Sequence, residues 1–300
     1  DRCAGVVLDG GETLRGGPVI VGAGHSARDV YQWMIDAGAA AELRAMRIGV
    51  RVEHPQKLVD LGMYGAPRGE LPPASYRLSS RPPAREGRTK ARAAHTFCMC
   101  PGGTVVAASN HRNRVVVNGM SWSARRAWFA NSALIVPVEV EDFGGQDVLA
   151  GVRFLDGIEQ RAFELGGGDY RAPAQRFVDL AAGRGSQDLP RTSFPMGVQG
   201  SDLREVLPPF VVEGILAAAR HFERRIPGFA GPDAVLIAPE TRTSAPLRFL
   251  RGPDLCSTTV RDLLPVGEGA GYAGGIISAA LDGYRAAQSL VERFCPRRTA

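Results

Sequence analysis

Nine consecutive residues near the C-terminal end of this 300-residue chain, Gly267-Glu268-Gly269-Ala270-Gly271-Tyr272-Ala273-Gly274-Gly275, contain five glycines and one acid. An apolar run at 263–266 (LLPV) precedes them, and a small-residue helical pattern follows through Arg293. The order predicts strand, tight turn and helix. Successive glycines let backbone N–H groups approach a partner without a Cβ in the way. The helix N-terminus behind them carries about half a positive charge. Such an end suits a developing anion, for example the N1/C2=O edge of a reduced flavin, and Glu268 suits ligand hydroxyls. Close packing of the small-residue stretch 274–283 (GGIISAALDG) on a sheet needs glycine as well, so the turn alone leaves both readings open. The segment contains G-x-G-x-x-G but is not read as a Rossmann opening, because only a helix and about two dozen residues follow it.

A second turn, Gly22-Ala23-Gly24-His25-Ser26-Ala27, also matches the dinucleotide pattern G-x-G-x-x-A. Residues 18–21 (PVIV) read as a buried strand before it, and Val30, Trp33, Met34 and Ala37 give an amphipathic helix after it. Glu53, at the end of the next strand (46–53), could serve as a ribose acid, which makes a nicotinamide-binding enzyme the first alternative. Two features oppose that. Ser26 with Asp29 reads as a capping box, which puts a carboxylate where pyrophosphate should sit. A hairpin signal, Asp9-Gly10-Gly11, also precedes the strand.

The rest of the chain supports a soluble globular protein. Hydrophobic residues make up 44% and charged residues 22%, and no uninterrupted apolar run is long enough to cross a membrane. The chain reads as cytoplasmic, since its five cysteines are odd in number and scattered. The charge is +5, with Lys57 and Lys90 the only lysines. That arginine bias reads as genome composition rather than a nucleic-acid footprint, although the Arg81 to Arg92 cluster keeps an RNA-binding or tRNA-modifying module as a second alternative. Residues 67–92 read as an exposed connector, 95–154 as alternating strands, 173–182 as a helix, 208–225 as a clearer helix opened by two prolines, and 234–237 as a strand.

At the C-terminal glycine turn, Gly267 to Ile276, with the alanine-rich helix that runs to Asp282-Gly283, the sequence resembles a family of bacterial FAD-dependent dehydrogenases of poorly defined function. GHSARD (24–29), GVRVEHPQ (49–56), TFCMCPGG (96–103), NGMS (118–121), ANSALIV (130–136) and ETRTSAP (240–246) resemble the same family in the same order. The resemblance implies an α/β fold in which part of a Rossmann-like FAD-binding domain, residues 1–60 and 246–300, is interrupted by a β-rich substrate domain at 61–245. It implies that the family's ADP-binding βαβ unit lies upstream of this portion. The cofactor is then FAD. Gly22, Gly24, His25 and Ser26 would stand beside it, and Glu268 would meet the ribityl chain. Gly267, Gly269, Ala270, Gly271, Tyr272, Gly274, Gly275 and Ile276 would meet the flavin and adjacent phosphate. The substrate is a small molecule, with NAD(P)H as a candidate electron donor.

Candidate chemistry is sparser. His25 reads as a structural histidine or a proton donor near the flavin. Cys98 and Cys100, two apart on a strand, would share one face, as two small buried hydrophobes or a redox pair. Asn118, Ser121, Asn131 and Ser132 line a substrate pocket or satisfy turns. Arg242 binds an acidic substrate or anchors the crossing between domains. No metal site is expected, because zinc needs about four ligands, no second cysteine pair follows Cys98 and Cys100, and His95 and His111 are nearby but not well spaced.

Overall fold

Short apolar runs broken by glycine- and proline-bearing turns give thirteen strands and six α-helices in a computed structural model that describes residues 1–80 and 92–295. In chain order these are β1 (Gly5–Val7), β2 (Thr13–Arg15), β3 (Val19–Val21), α1 (Arg28–Asp36), β4 (Ala41–Leu43), β5 (Met46–Pro55), α2 (Gln56–Tyr64), β6 (His95–Ala107), β7 (Val117–Ser121) and β8 (Phe129–Val138). Then follow α3 (Ala150–Leu165), β9 (Ala172–Arg176), α4 (Phe177–Ala181), β10 (Val198–Gly200), α5 (Pro209–Glu223), β11 (Val235–Glu240), β12 (Leu247–Phe249), β13 (Leu263–Pro265) and α6 (Ile276–Phe294). The fold is mixed α/β. No helix among the described residues is long and apolar enough to cross a membrane.

The chain divides into two units: the first holds Asp1–Met46, Glu139–Phe154 and Arg242–Ala300, the second Arg47–Val138 and Leu155–Thr241. The division at 46/47 falls earlier than the expected 60/61, and 139–154 return to the first unit.

In the first unit, β1 and β2 form the hairpin signalled by Asp9-Gly10-Gly11. β3 pairs in parallel with β13, Val19 opposite Leu263 and Val21 opposite Pro265. α1 turns Tyr31 and Met34, three residues apart, into a core with Leu247, Phe249, Val260 and Leu263. Each such large side chain contributes about 1.5–3 kcal/mol by leaving water. The strand after α1, β4, pairs with β12 and not with β3. β3, α1 and β4 therefore do not make the βαβ unit that the nicotinamide reading of residues 22–27 needs.

The second unit is built on a seven-stranded sheet in the order β10-β9-β11-β5-β8-β6-β7. β5 sits in its middle, so nearly every residue from Met46 to His54 is buried. α5 starts with Pro209 at its first turn, where a missing N–H is harmless. It sends Val211, Ile215, Ala218 and Phe222 inward. Gly214 lets it approach β8, since a Cβ there would lie 2.9 Å from Val136 Cγ2.

Several expectations are corrected. Ser26 does not cap α1, because the helix starts at Arg28 after an Ala27 N-cap with no side-chain bond. β3 is not fully buried, Ile20 being 43% exposed. The strand reading of 95–154 ends early: Ala150 opens α3, whose inward residues Leu155, Ile158 and Ala162 keep helical spacing. The first half of the expected 173–182 helix is β9, held between β10 and β11. In the connector, Ala74, Tyr76, Leu78 and Ser80 alternate inward, and Leu78 and Ser80 bond to Thr96 and Ala94. Of the Arg81 to Arg92 cluster, 81–91 lie outside the described residues. Arg92 donates to Pro137 O at 2.9 Å.

Candidate functional site

Because β3 and β13 are parallel, both strands leave their sheet at the same end. That brings the turn after Val21 against the glycine-rich turn after Pro265. The approach is close enough that a Cβ on Gly269 would lie 2.4 Å from Gly24 O. The partner atom is backbone and cannot swing aside. His25 Nδ1 stands 3.7 Å from Glu268 Oε2. Between the turns lies a narrow hollow of ≈ 10 Å³, room for about one water, whose lining includes Val21, Ala23, Gly24, Tyr31, Phe249 and Gly269. Tyr31 is 2% exposed, and its hydroxyl has no hydrogen-bond partner among the described residues. Burial pushes the Tyr31 phenol upward, against the pull of the Arg242 guanidinium. Burial also raises the Glu268 carboxyl, which Arg44 opposes.

The entrance of α6 is open. Its N-cap, Gly275, is extended (φ 171°) and offers no side-chain bond to the first turn. A Cβ at Gly274 would meet nothing within 4 Å, and one at Gly275 only Ser278 Oγ at 4.0 Å. Ile276 is 88% exposed. The Gly274 N–H donates to Ser278 Oγ at 3.3 Å, and N–H groups of the first turn of a helix carry its partial positive charge and donate to anions or carbonyl oxygens.

The turn is rigid although its mouth is open. Asp282, one and a half helical turns into α6, accepts the Gly267 N–H at 2.7 Å and takes Arg251 on both oxygens at 2.9 and 2.5 Å. Burial acts to raise its pKa, but these bonds win and hold it below the usual carboxylate range. Arg251 also lies over the Tyr272 ring at 3.6 Å, and the Tyr272 hydroxyl donates to Phe249 O at 2.8 Å. Gly271 (φ 85°) accepts from Arg44 Nη1 at 2.7 Å, and a Cβ there would lie 2.6 Å from Leu247 O. Tyr272 and Gly271 thus support the turn, whereas Gly274 and Gly275 leave room. Arg251 and Tyr31 were not picked out from the sequence, and Asp282, although it ends the motif that carries the resemblance, was given no role. The Asp282–Gly267 spacing of 15 residues has no local signature.

Other candidates surround a different centre, in the second unit. Arg51 is fully buried on β5 and donates to both carboxylate oxygens of Glu240, at 2.6 and 3.2 Å. It also donates to Cys98 O at 2.8 Å, Asn118 Oδ1 at 2.8 Å and Asn131 Oδ1 at 3.1 Å. Burial raises the Glu240 carboxyl in spite of Arg51. Asn118 and Asn131 therefore turn their oxygens to an internal cation. Ser132 shares a bond with the Tyr76 hydroxyl at 2.9 Å, and Ser121 donates to Pro101 O at 2.8 Å. Gly119 is obligatory here, since a Cβ would lie 2.0 Å from Asn131 Oδ1. Arg242 belongs to the first unit and is 7% exposed.

Cys98 and Cys100 do not share a face. β6 shifts register between Phe97 and Cys100, Cys98 has φ 42°, and this bulge leaves Cys98 exposed while Cys100 is buried. Cys100 Sγ lies 3.9 Å from Arg51 Nη1, yet burial still raises its pKa. None of the five cysteines forms a disulfide among the described residues. No group of three potential metal ligands exists among the described residues.

Glu53 is also engaged: it is 1% exposed and accepts from the Ser193 hydroxyl and, at 2.8 Å, the Ser193 N–H. Burial lifts its pKa to about 7. Its neighbour His54 is held neutral, burial lowering its pKa to about 4 while Nε2 bonds Phe229 O at 2.8 Å.

Over residues 45–243 the sequence matches the family described as FAD-dependent protein, C-terminal domain-like. An uncharacterized protein of Clostridium beijerinckii is 41% identical over 292 residues, covering 96% of this chain and 54% of the relative. The chain thus spans about half the length of that relative.

Proposed function

The chain belongs to this family of FAD-dependent proteins, and from that premise we propose that it contributes the flavin-facing part of the cofactor site of an FAD-dependent oxidoreductase. The observation that carries this reading is the contact of the two glycine turns, Gly269 on Gly24, beside a helix entrance without a side-chain cap. The residues present suit the cofactor: glycine walls, N–H donors at a positive pole, an unpartnered phenol and one carboxylate. FAD, when bound, supplies the hydride or electron chemistry.

The chain's own residues then bind and orient. Backbone N–H groups at the start of α6 hold a phosphate oxygen or a flavin carbonyl, and Gly274 and Gly275 keep that approach clear. Glu268 accepts hydrogen bonds from ligand hydroxyls, and burial raises its carboxyl against the pull of Arg44. His25 stands at ion-pair distance from Glu268, its Nδ1 3.7 Å from Oε2. Asp282 and Arg251 fix the turn so that none of this geometry is formed anew on binding. The second unit is the substrate-handling domain in this reading, acting on a small molecule with a nicotinamide as candidate electron donor.

The test is the visible absorption spectrum of this chain and of the Clostridium beijerinckii relative, with the released cofactor identified by chromatography. Flavin bands with FAD released from both uphold the proposal. FAD in the relative alone places the adenosine contacts in the half that this chain does not span. No flavin in either overturns it.

A further inference from the structure

α5 carries a second feature that the cofactor reading does not use. While Val211, Ile215, Ala218 and Phe222 enter the core, Leu216, Ala219 and Arg220 line a hollow of ≈ 400 Å³ floored by Phe177 and walled by Ala181 and Ala230. Glu223 also borders it, but its two carboxylate oxygens are taken by the Gly228 and Ala230 N–H groups at 2.7 and 2.9 Å. Those bonds fix the carboxylate in the wall, and among the described residues it makes no ion pair with Arg220. Arg220 simultaneously lines an adjoining hollow of ≈ 590 Å³, together with Ser79, His221 and Arg224.

The second hollow is basic. Among the described residues Arg220 and Arg224 form no ion pair. Arg224 Nη2 donates to His221 Nδ1 at 3.1 Å, and since a guanidinium has no lone pair to offer, the imidazole must accept there. Its Nε2 then carries the proton and is a further donor. An apolar recess and a cluster of donors thus meet at one side chain, Arg220.

We propose that this recess binds an amphiphilic carboxylate. The apolar body lies over Phe177, Leu216 and Ala219, and the carboxylate is held by Arg220 and Arg224, whose planar guanidinium groups match its two oxygens. Cations in the last turn of α5 also balance the helix dipole. That role alone calls for charge near the final carbonyls and makes no use of an apolar hollow, so the two roles separate experimentally.

The experiment is isothermal titration of the whole chain with dodecanoate below its micellar concentration, beside acetate as the head alone and dodecyltrimethylammonium as a similar body with the opposite charge. Saturable binding of dodecanoate, with neither acetate nor the ammonium matching it, is expected. Leu216→Trp, which fills the apolar hollow, and Arg220→Glu should each weaken dodecanoate by about tenfold or more. Arg220→Lys, which keeps the charge, should stay within about threefold, and circular dichroism checks that each variant folds. Equal binding of the ammonium, undisturbed binding in both Leu216→Trp and Arg220→Glu, or no saturable dodecanoate binding overturns the proposal.

Discussion

Two constellations of polar residues, one in each unit, differ in how they use their hydrogen bonds. Around Arg51 the donors and acceptors answer one another: Glu240, Asn118, Asn131 and the Cys98 carbonyl consume the guanidinium, and of this group's buried side-chain atoms Asn131 Nδ2 alone lacks a partner among the described residues. Around the glycine turns the framework is equally rigid, yet among the described residues the buried Tyr31 hydroxyl finds no partner and α6 opens without a side-chain cap on its N-cap glycine. A buried polar group normally finds a partner because leaving it unpaired costs about 1–3 kcal/mol. A saturated centre is therefore architecture, and a rigid but unsaturated one is a place for a ligand.

Breaking the saturated centre should give the largest effect. Arg51→Met strands Glu240 as a buried carboxylate and should destabilise the second unit by about 3–5 kcal/mol in chemical denaturation. Adding Glu240→Met should restore most of that loss, and a double variant as unstable as the single one would show that the pair does more than hold the sheet.

The same unit offers a pH test. Between 4.5 and about 7 the unfolded chain has lost the Glu53 proton that the folded chain keeps, so stability falls as pH rises, by about 3 kcal/mol in all. His54 acts oppositely: between about 4 and 6.5 only the unfolded chain holds the proton, so stability rises with pH by a similar amount. The two cancel from pH 4.5 to 6.5. Glu53→Gln should turn that flat profile into a rising one, and an unchanged profile would contradict the assignment.

In the first unit, Asp282→Asn removes the charge that binds Arg251 and weakens the acceptor of the Gly267 N–H. It should lower stability by about 1–3 kcal/mol and loosen any flavin bound, read by fluorescence titration. Tyr31→Phe should change stability least, raising it by up to about 1 kcal/mol without flavin, because it deletes a buried hydroxyl that bonds nothing. With FAD present the sign should reverse if the phenol meets the cofactor. A stability loss without FAD would show a protein partner for Tyr31.

Legibility in the sequence followed the range of the forces. The glycine turns, the hairpin at Asp9-Gly10-Gly11 and the proline start of α5 are local signals and could be read directly. α3 was hidden because Val152, Leu155 and Ile158 follow a run of genuine strands, and β9 because its partners lie elsewhere in the chain. The bulge at Cys98 reverses a face assignment that alternation alone would make. Nothing local could show that Asn118 and Asn131 serve Arg51, 67 and 80 residues away. The same holds for Asp282, whose partners Gly267 and Arg251 meet it only in the folded unit.

The account rests on the open entrance of α6 being a cofactor seat, and Gly275→Val tests it most directly. Its extended φ of 171° accepts valine, and Ser278 Oγ at 4.0 Å is the nearest obstacle to a Cβ, so the fold should tolerate the change. Gly271→Val, by contrast, drives a Cβ to within 2.6 Å of Leu247 O and should disturb the turn itself. FAD bound per chain should fall at least about tenfold in Gly275→Val while thermal unfolding stays unchanged. Parental FAD content in a normally folded Gly275→Val protein would contradict the account.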